Sequence, residues 1–314
     1  MKAKSLYALA GLVLILSACG NEKDGRQLVL TSLLGTKYYE PVRSEKVQAR
    51  LDSNLNVAKA NWEKDPSEEN YIWYGRRLGY LSRFQQAIDV LTEGIAKFPN
   101  SAKLYRHRGH RYISMRNFDL AIEDLTKAST LMPAEPLEIE PDGIPNSINT
   151  PLSSTQFNVW YHLGLAYYLK GDYVNAEKAY DECWKTCVND DLRIACIDWM
   201  YMNYRRGRKE IKADNLLRDV TDTMKIVEND SYYKRCLMYK GLLASDSVLK
   251  VTTKDPEQAD LALATQGYGV GNFFYYNGNS SRAKVIFDQV VAGRHFGAFG
   301  FIAAEAELAR WQDR

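Results

Sequence analysis

Histidine and proline are scarce in this chain of 314 residues, and its positive and negative charges nearly balance. It contains 4 histidines and 9 prolines, and 41 basic residues against 39 acidic ones leave a formal net charge of +2. Such a balance lacks the basic excess typical of nucleic-acid-binding domains, so we expect no nucleic-acid partner. After the first twenty residues no run of about 18 apolar residues remains, and the sequence predicts no membrane-spanning helix there.

Motifs of known catalytic sites are also absent from the sequence. It has no HExxH zinc motif, no serine elbow and no phosphate-binding P-loop. The segment 266–271, QGYGVG, contains GxGxG but follows no predicted strand, which argues against a dinucleotide loop. His107 and His110 share one predicted helix, yet no third zinc ligand stands nearby. We therefore predict no catalytic residue, no metal, no cofactor and no enzymatic activity.

The N-terminal residues have the features of an export signal. Lys2 and Lys4 precede an apolar run that begins at Leu6, and the run ends in Leu16-Ser-Ala-Cys19. A charged start, a short apolar stretch and small residues at a cleavage site form a secretory signal peptide. The last four residues resemble the lipobox of bacterial lipoproteins. That resemblance implies cleavage before Cys19 and acyl chains on this cysteine, which anchor the chain in a membrane.

The residues after Cys19 bear on the destination of such a lipoprotein. Gly20 follows the cysteine where an aspartate would retain a lipoprotein at the inner membrane, so the resemblance implies the outer membrane. Glu22 and Asp24 lie close behind, and acids in these places direct some bacterial lipoproteins to the cell surface. We expect a lipid-anchored protein of the cell envelope, with the periplasmic and the surface-exposed face both open.

One pattern is written twice between residues 68 and 133, at an offset of 34 residues. The matched pairs are Tyr71 and Tyr105, Gly75 and Gly109, Leu78 and Tyr112, Phe84 and Phe118, Ala87 and Ala121, Leu91 and Leu125, Gly94 and Ala128, and Pro99 and Pro133. The glycines and alanines leave room for two helices to lie close, and the prolines cannot continue a helix interior. In length and pattern the chain resembles the tetratricopeptide repeat family, whose unit is a helix-turn-helix of about 34 residues.

The resemblance implies an all-α fold, a right-handed superhelical array of antiparallel helix pairs with capping helices at both ends. We divide the chain into a signal peptide (1–18), a tether (19–43), an N-terminal capping helix with two repeats (44–132), a proline-rich acidic loop (133–155), and further clear or degenerate repeats with a C-terminal cap (156–311). The apolar stripe from Val47 to Trp62 predicts the first capping helix. Residues 297–311 are predicted to form an amphipathic last helix.

The segment 133–155 holds five of the nine prolines, together with Glu135, Glu138, Glu140 and Asp142. So long a loop without secondary structure tends to be functional or disordered. Two interpretations stay open. The segment is either a tolerated surface insertion or an acidic lid that reaches back into the array's own groove.

Four cysteines follow Cys19, at positions 183, 187, 196 and 236. An even number in an exported chain suggests disulfides, but Cys183 falls where the repeat family has a small buried residue. One disulfide that joins Cys183 or Cys187 to Cys196, no disulfide, and a four-thiolate zinc site all remain open, although the zinc site lacks a CxxC spacing.

In the family, the first helices of successive repeats line a concave groove, and the residues that the packing pattern leaves free face a partner. By this resemblance the partner-binding residues are Arg76, Tyr80, Arg106, His110, Tyr161, Tyr168, Tyr268, Asn272 and Tyr275. Arginine and tyrosine dominate the energetics of many interfaces. We predict a scaffold or adaptor that binds a protein or peptide partner of the cell envelope. The alternative is a lipoprotein that captures a ligand or glycan on its tyrosines.

Overall fold

The computed structural model describes residues 22–250 and 256–312. Within these residues the chain forms fourteen α-helices, most of which pack as consecutive antiparallel pairs, and one small antiparallel sheet. This confirms the all-α array of helix pairs predicted from the sequence. No helix in the described part of the chain combines the length and apolar character needed to cross a membrane. Cys19, the predicted lipidation site, lies outside the described residues.

A long helix, α1 (Glu45–Lys64), precedes six helix pairs, and its first turn is capped by the Ser44 side chain. The pairs are α2 (Glu68–Tyr80) with α3 (Phe84–Lys97), α4 (Ala102–Ser114) with α5 (Phe118–Leu131), α6 (Thr155–Lys170) with α7 (Tyr173–Lys185), α8 (Asp190–Arg206) with α9 (Glu210–Leu216), α10 (Asp230–Tyr239) with α11 (Ser245–Leu249), and α12 (Pro256–Tyr276) with α13 (Ser280–Val291). A last helix, α14 (Phe299–Gln312), follows them. We call the even-numbered members of these pairs, α2 to α12, the first helices, and they contact one another in chain order.

The same close contact holds four of the pairs together. In each, a glycine of the first helix faces a large side chain that lies sixteen positions later, on the second helix. The contacts are Gly75–Leu91 (2.8 Å), Gly109–Leu125 (2.8 Å), Gly164–Tyr180 (2.6 Å) and Gly271–Phe287 (2.5 Å), each measured from a Cβ placed on the glycine. Real Cβ atoms do not approach so closely, so these positions tolerate only glycine without a shift of the helices.

The predicted tether contains a sheet, which is a correction to the sequence interpretation. The strands β1 (Glu22–Lys23), β2 (Arg26–Thr31) and β3 (Lys37–Tyr39) are antiparallel in that order. Asp24 and Gly25, both with positive φ, make the first turn, as Asp-Gly often does in hairpins. From Leu30 onward this segment packs on the rest of the chain, because Leu30 is buried and Tyr38 stacks on Phe296 at 5.0 Å between ring centroids.

A last helix ends the array as predicted, but its predicted amphipathic character is wrong, since the helix is buried. Every residue from 300 to 308 in α14 is buried, including Glu305 and Glu307. Arg116, just after α4, pairs with Glu305 at 2.8 Å, and Arg206, the last residue of α8, pairs with Glu307 at 2.6 Å. The helix is therefore held by arginines at the C-terminal ends of α4 and α8.

Candidate partner-binding site

The segment 133–155 lies back on the array. The Glu138 N–H donates to Gln156 Oε1 at 2.9 Å, and Ile139 forms an antiparallel bridge with Ser154, so the two ends of the segment meet at the start of α6. From there residues 138–143, which we call the crossing segment, run over α6, α4 and α2 in turn. Its position fits the acidic-lid interpretation and is a finding against a solvated insertion that touches nothing.

Two acids of the crossing segment bind side chains of α4 and α6. Lys103 pairs with Glu138 at 2.7 Å, but both side chains are a third or more exposed, and water screens this pair. Arg106 Nη2 lies 3.1 Å from Glu140 Oε1, and their side chains are only 8% and 11% exposed. Asn158 Nδ2 donates to the other oxygen, Glu140 Oε2, at 3.0 Å. The buried Glu140 carboxylate is thus the main polar anchor of the segment.

Side chains of α2 hold the backbone of the same segment. Arg76 Nη1 donates to the Pro141 carbonyl at 2.9 Å, and Arg77 Nη1 donates to the Gly143 carbonyl at 3.1 Å. Gly143 lies so close to Tyr80 that a Cβ at this position would overlap the tyrosine hydroxyl. An extended chain that carries acids is therefore bound here by arginines that read both its carboxylates and its carbonyl groups.

A pocket of about 120 Å³ lies between α2 and α4 beneath the crossing segment. We call it the arginine pocket. It is lined by Gly75, Arg76, Tyr80, Leu91, Arg106, His107, His110, Arg111 and Glu140. The four lining residues of α4 at positions 106, 107, 110 and 111 recur at the spacing of one helix face, which is the sequence signal that could have identified Arg111.

Burial and like charge determine the ionisation of the arginine pocket. Burial, together with the nearby Arg106 and Arg76, lowers the pKa of Arg111 to about 10, while Tyr80 opposes the shift. Arg111 therefore stays charged at neutral pH. Burial, together with neighbouring arginines, holds the pKa values of His107 and His110 well below the usual range, so both imidazoles are neutral.

Four of the nine predicted partner-binding residues lie together at this pocket. They are Arg76, Tyr80, Arg106 and His110. All four come from α2 and α4, the first helices of the first two repeats, which the crossing segment contacts.

Four others lie in the interior, so their prediction as exposed partner contacts is wrong. Tyr168 and Tyr268 share a hydrogen bond of 2.6 Å, and Asn272 Nδ2 donates to Tyr168 Oη at 2.9 Å. All three are fully buried, and Tyr161 is 6% exposed beside Tyr232. The repeat pattern could not show that these side chains are covered, because it encodes only contacts between neighbouring helices.

Tyr275, the ninth predicted residue, lies at a second cavity of about 540 Å³. Arg206 lies over its ring, 4.5 Å from the centroid. The cavity is lined by Lys170, Gly171, Tyr173, Arg205, Arg206, Arg208, Glu210, Tyr275, Tyr276 and Arg310. It opens at the C-terminal ends of α6, α8, α12 and α14, away from the crossing segment.

The four cysteines of the described residues are free and buried. The Sγ atoms of Cys183, Cys187 and Cys196 lie within 4.8 Å of one another, and Met200 Sδ is 3.4 Å from Cys196 Sγ. Cys236 is not a member of this cluster, which rules against the four-thiolate site. Among the residues described, this is the one group of three potential metal ligands, so His107 and His110 belong to no such group.

Comparisons with known proteins agree with the repeat assignment. Residues 157–185, which span α6 and α7, match the model of the tetratricopeptide repeat family. The search of curated proteins returned no match. The matched segment covers the third helix pair, where Gly164 meets Tyr180.

Several solved structures share the array of helix pairs. A tetratricopeptide repeat protein from Parabacteroides merdae is 12% identical with a TM-score of 0.47, over 84% of this chain and 94% of that one. YrrB, described as a repeat protein with an unusual peptide-binding site, is 14% identical with a TM-score of 0.40, over 81% and 99%. MamA is 16% identical with a TM-score of 0.42, over 63% and 88%. At these values the likeness does not bear on what this chain binds.

Proposed function

We propose that this chain of tetratricopeptide repeats is a lipid-anchored interaction scaffold of a bacterial cell envelope. Its first two repeats would bind an acidic, extended segment of a protein partner. The observation that carries the proposal is the crossing segment, because the chain's own residues 138–143 already lie on α2 and α4 as such a ligand would. Peptide recognition through backbone groups with a few charged anchors is common in proteins.

The contacts suggest what a partner would need. Arg76 and Arg77 would bind any extended backbone, since they donate hydrogen bonds to carbonyl groups. Arg106 and Asn158 select for a carboxylate in the place of Glu140. A partner segment with an acid three residues before a small residue would reproduce the contacts of Glu140 and Gly143 with little change in the helices.

The crossing segment must leave before a partner binds. Apparent affinity then falls by the fraction of molecules in which the segment is open. Because charged contacts hold the segment, neutralising its acids should raise that fraction. Added salt screens these charges, so it should reduce the difference in apparent affinity between the parent and a variant with neutralised acids.

A labelled peptide with the sequence of residues 134–146 provides the probe. We would add it to the full chain in which Glu135, Glu138 and Glu140 are changed to Gln and Asp142 to Asn. The matched control neutralises four exposed acids elsewhere, Glu182, Asp230, Asp246 and Asp288, whose side chains are 43–79% exposed. Fluorescence anisotropy at low and high salt reports the affinity.

We expect the loop variant to bind the peptide more tightly than the parent, with the larger difference at low salt, and the control to behave as the parent. Equal affinity of all three proteins at both salt concentrations would refute a peptide site beneath the segment. A pulldown from envelope extracts with the loop variant as bait, followed by mass spectrometry, would then identify the partner.

The second cavity favours the alternative of a ligand-capturing lipoprotein. Its volume of about 540 Å³ falls in the range of small-molecule sites, about 300–1,000 Å³. Tyr173, Tyr275 and Tyr276 line it together with five basic residues, so an anionic glycan is the ligand class that fits. A glycan array would test this, with Tyr275→Ala as the variant that should lose binding and Tyr80→Ala as the control.

A further inference from the structure

We infer that the arginine pocket is a binding site for a doubly charged oxyanion group, in which Glu140 occupies only part of the available positions. The inference deepens the proposed function and rests on it, because the same inner surface of α2 and α4 carries both. It adds a chemical class of ligand, such as a phosphate group or two neighbouring carboxylates. The argument is one of unmatched charge and unmatched hydrogen-bond donors.

Charge is unbalanced within the lining. Three guanidinium groups, those of Arg76, Arg106 and Arg111, face a single lining carboxylate, that of Glu140. Burial raises the pKa of Asp142 above its usual value while the nearby Arg76 opposes the shift, and Asp142 does not line the pocket. The two histidines of the lining are neutral and leave the excess unchanged. A pocket of this kind attracts an anion with more charge than one carboxylate.

Arg106 has a donor to spare. Its Nη2 lies 3.1 Å from Glu140 Oε1 and its Nη1 donates to His107 Nδ1 at 2.8 Å. Arg106 is only 6% exposed, and its buried Nε has no hydrogen-bond partner among the described residues. A buried donor without a partner costs about 1–3 kcal/mol, so a ligand oxygen at this place gains a favourable contact.

Arg111 is the second unmatched group. No carboxylate or carbonyl oxygen of the described residues accepts from its guanidinium, whose Cζ lies 5.6 Å from the centre of the Phe84 ring. A guanidinium has five N–H donors and prefers to bind oxyanions in pairs. The two carboxylate oxygens of Glu140 bind Arg106 and Asn158 rather than Arg111.

The tautomer of His107 also supports an oxyanion site in the arginine pocket. Arginine can only donate, so His107 Nδ1 accepts from Arg106 and the ring proton sits on Nε2. This Nε2 lies 3.7 Å from Glu140 Oε1, on the carboxylate side of the pocket. The neutral imidazole thus presents one more donor to an oxyanion without adding a charge.

The volume limits the size of the group. At about 30 Å³ per water in the liquid, a pocket of about 120 Å³ has room for a few waters or one small oxyanion. It lies below the range of drug-sized sites, about 300–1,000 Å³. The ligand is therefore either a small free anion or the acidic group of a longer molecule that continues along the path of the crossing segment.

Inorganic phosphate is the probe for a direct test on the full chain. Isothermal titration at constant ionic strength would compare the parent with Glu140→Gln, Arg111→Gln and Arg50→Gln, and chloride would serve as the ion control. Arg50 is an exposed residue of α1, so its variant makes the same charge change away from the pocket. Peptides with one acid and with two adjacent acids in the place of Glu140 would distinguish a bound group from a free ion.

We expect Glu140→Gln to bind phosphate about tenfold more tightly than the parent, because a competing carboxylate is removed. We expect Arg111→Gln to bind about tenfold more weakly, and Arg50→Gln to match the parent, since one charge-assisted hydrogen bond corresponds to roughly that factor. Tighter binding of the two-acid peptide than of phosphate would assign the site to a partner segment, and the reverse order to a free anion.

Equal phosphate affinity in all four proteins, or no binding to Glu140→Gln, would overturn the inference. Should Arg111→Gln fail to fold, as judged by its thermal melting, the gain in Glu140→Gln still decides. Failure here is distinct from failure of the proposed function. Tighter peptide binding by the variant with four loop substitutions is possible without any phosphate site. Phosphate binding is likewise possible without any peptide partner.

Discussion

At the scale of single residues, glycine decides how closely the helices approach. Gly109 faces Leu125 and Asp124, and a Cβ at this position would come within 2.8 Å of Leu125 Cγ. The same relation recurs between Gly75 and Leu91. A close approach of this kind buries more apolar surface between the helices than a larger residue would permit.

Gly109→Ala should destabilise the fold by about 1–3 kcal/mol, the usual range for overpacking. Gly109→Leu should cost more and should make unfolding less cooperative along the array, since repeats stabilise their neighbours. Urea unfolding followed by circular dichroism measures both effects. Gly297→Ala is the matched control, because its Cβ would meet only Phe84 Cζ at an ordinary 3.5 Å. Identical midpoints for the two alanine variants would contradict the assigned packing.

At the scale of elements, two segments are held by contacts that neighbouring repeats do not provide. The crossing segment is bound by arginines of α2 and α4. Helix α14 is bound through its buried acids by arginines at the ends of α4 and α8. In both cases an acid of one element meets a base that is distant in sequence, and removal of one partner leaves the other buried and unpaired.

Gly143→Ala should release the crossing segment without any change of charge. The new methyl group would overlap the Tyr80 hydroxyl, so either the segment or the Tyr80 side chain must move, and both movements break the present contact. We expect faster cleavage of residues 133–155 by a protease and tighter binding of the loop peptide, with unchanged global stability. The double variant Gly143→Ala, Tyr80→Phe removes the hydroxyl and should restore part of the parent behaviour. Equal cleavage rates in parent and Gly143→Ala would show that this contact does not hold the segment.

Glu307 should make the attachment of α14 sensitive to acid. Burial raises the pKa of this carboxyl, but Arg206 and Arg310 outweigh it and hold the pKa below the usual 4.5. A carboxyl that is more acidic in the folded state stabilises the fold above its unfolded pKa. That stabilisation is lost as the pH falls through the lower folded value.

Glu307→Gln should therefore lower the free energy of unfolding by about 3–5 kcal/mol near neutral pH, since it leaves Arg206 buried without a carboxylate. Its loss of stability between about pH 5 and pH 3 should be shallower than that of the parent. Thermal melting across this pH range measures both. Glu182→Gln, an exposed acid, is the control. Parallel pH profiles for parent and Glu307→Gln would contradict the assigned role.

At the scale of the whole molecule, contacts join segments that are distant in sequence. Arg116, between α4 and α5, binds Glu305 of α14, and the Leu33 N–H after β2 donates to the same glutamate at 2.8 Å. One hydrophobic cluster extends from Leu30 to Leu308. Contacts between distant parts of the chain therefore add to the contacts between neighbours on which an open solenoid depends.

The proposed anchor also concerns the molecule as a whole, because it sets where the scaffold works. Cys19→Ser should abolish labelling with a fatty acid analogue and leave the precursor uncleaved by the lipoprotein signal peptidase. Cys187→Ser, which changes a cysteine of the folded body, should keep both. In-gel detection of the label together with the apparent mass provides the measurement. Normal processing of Cys19→Ser would refute the lipobox interpretation.

The sequence by itself determined the repeated helix pairs and their register. Glycine, alanine and large apolar residues at an offset of 34 encode local packing, and each such contact joins two helices adjacent in the chain. Arg76, Tyr80, Arg106 and His110 lie together at one pocket, but Arg106 is buried there, and that they bind a partner stays a prediction. The sequence also showed that the acids near residue 140 and the bases of α2 and α4 carry opposite charges.

Only the tertiary structure decided what covers the inner surface. The burial of Tyr168, Tyr268 and Asn272 depends on α14, whose two glutamates find arginines far away in sequence. The packing of β2 and β3 on Phe296 and Glu305 likewise joins the two ends of the chain. A periodic pattern reports contacts between neighbours, whereas these contacts join segments that are distant in sequence, which no single repeat encodes.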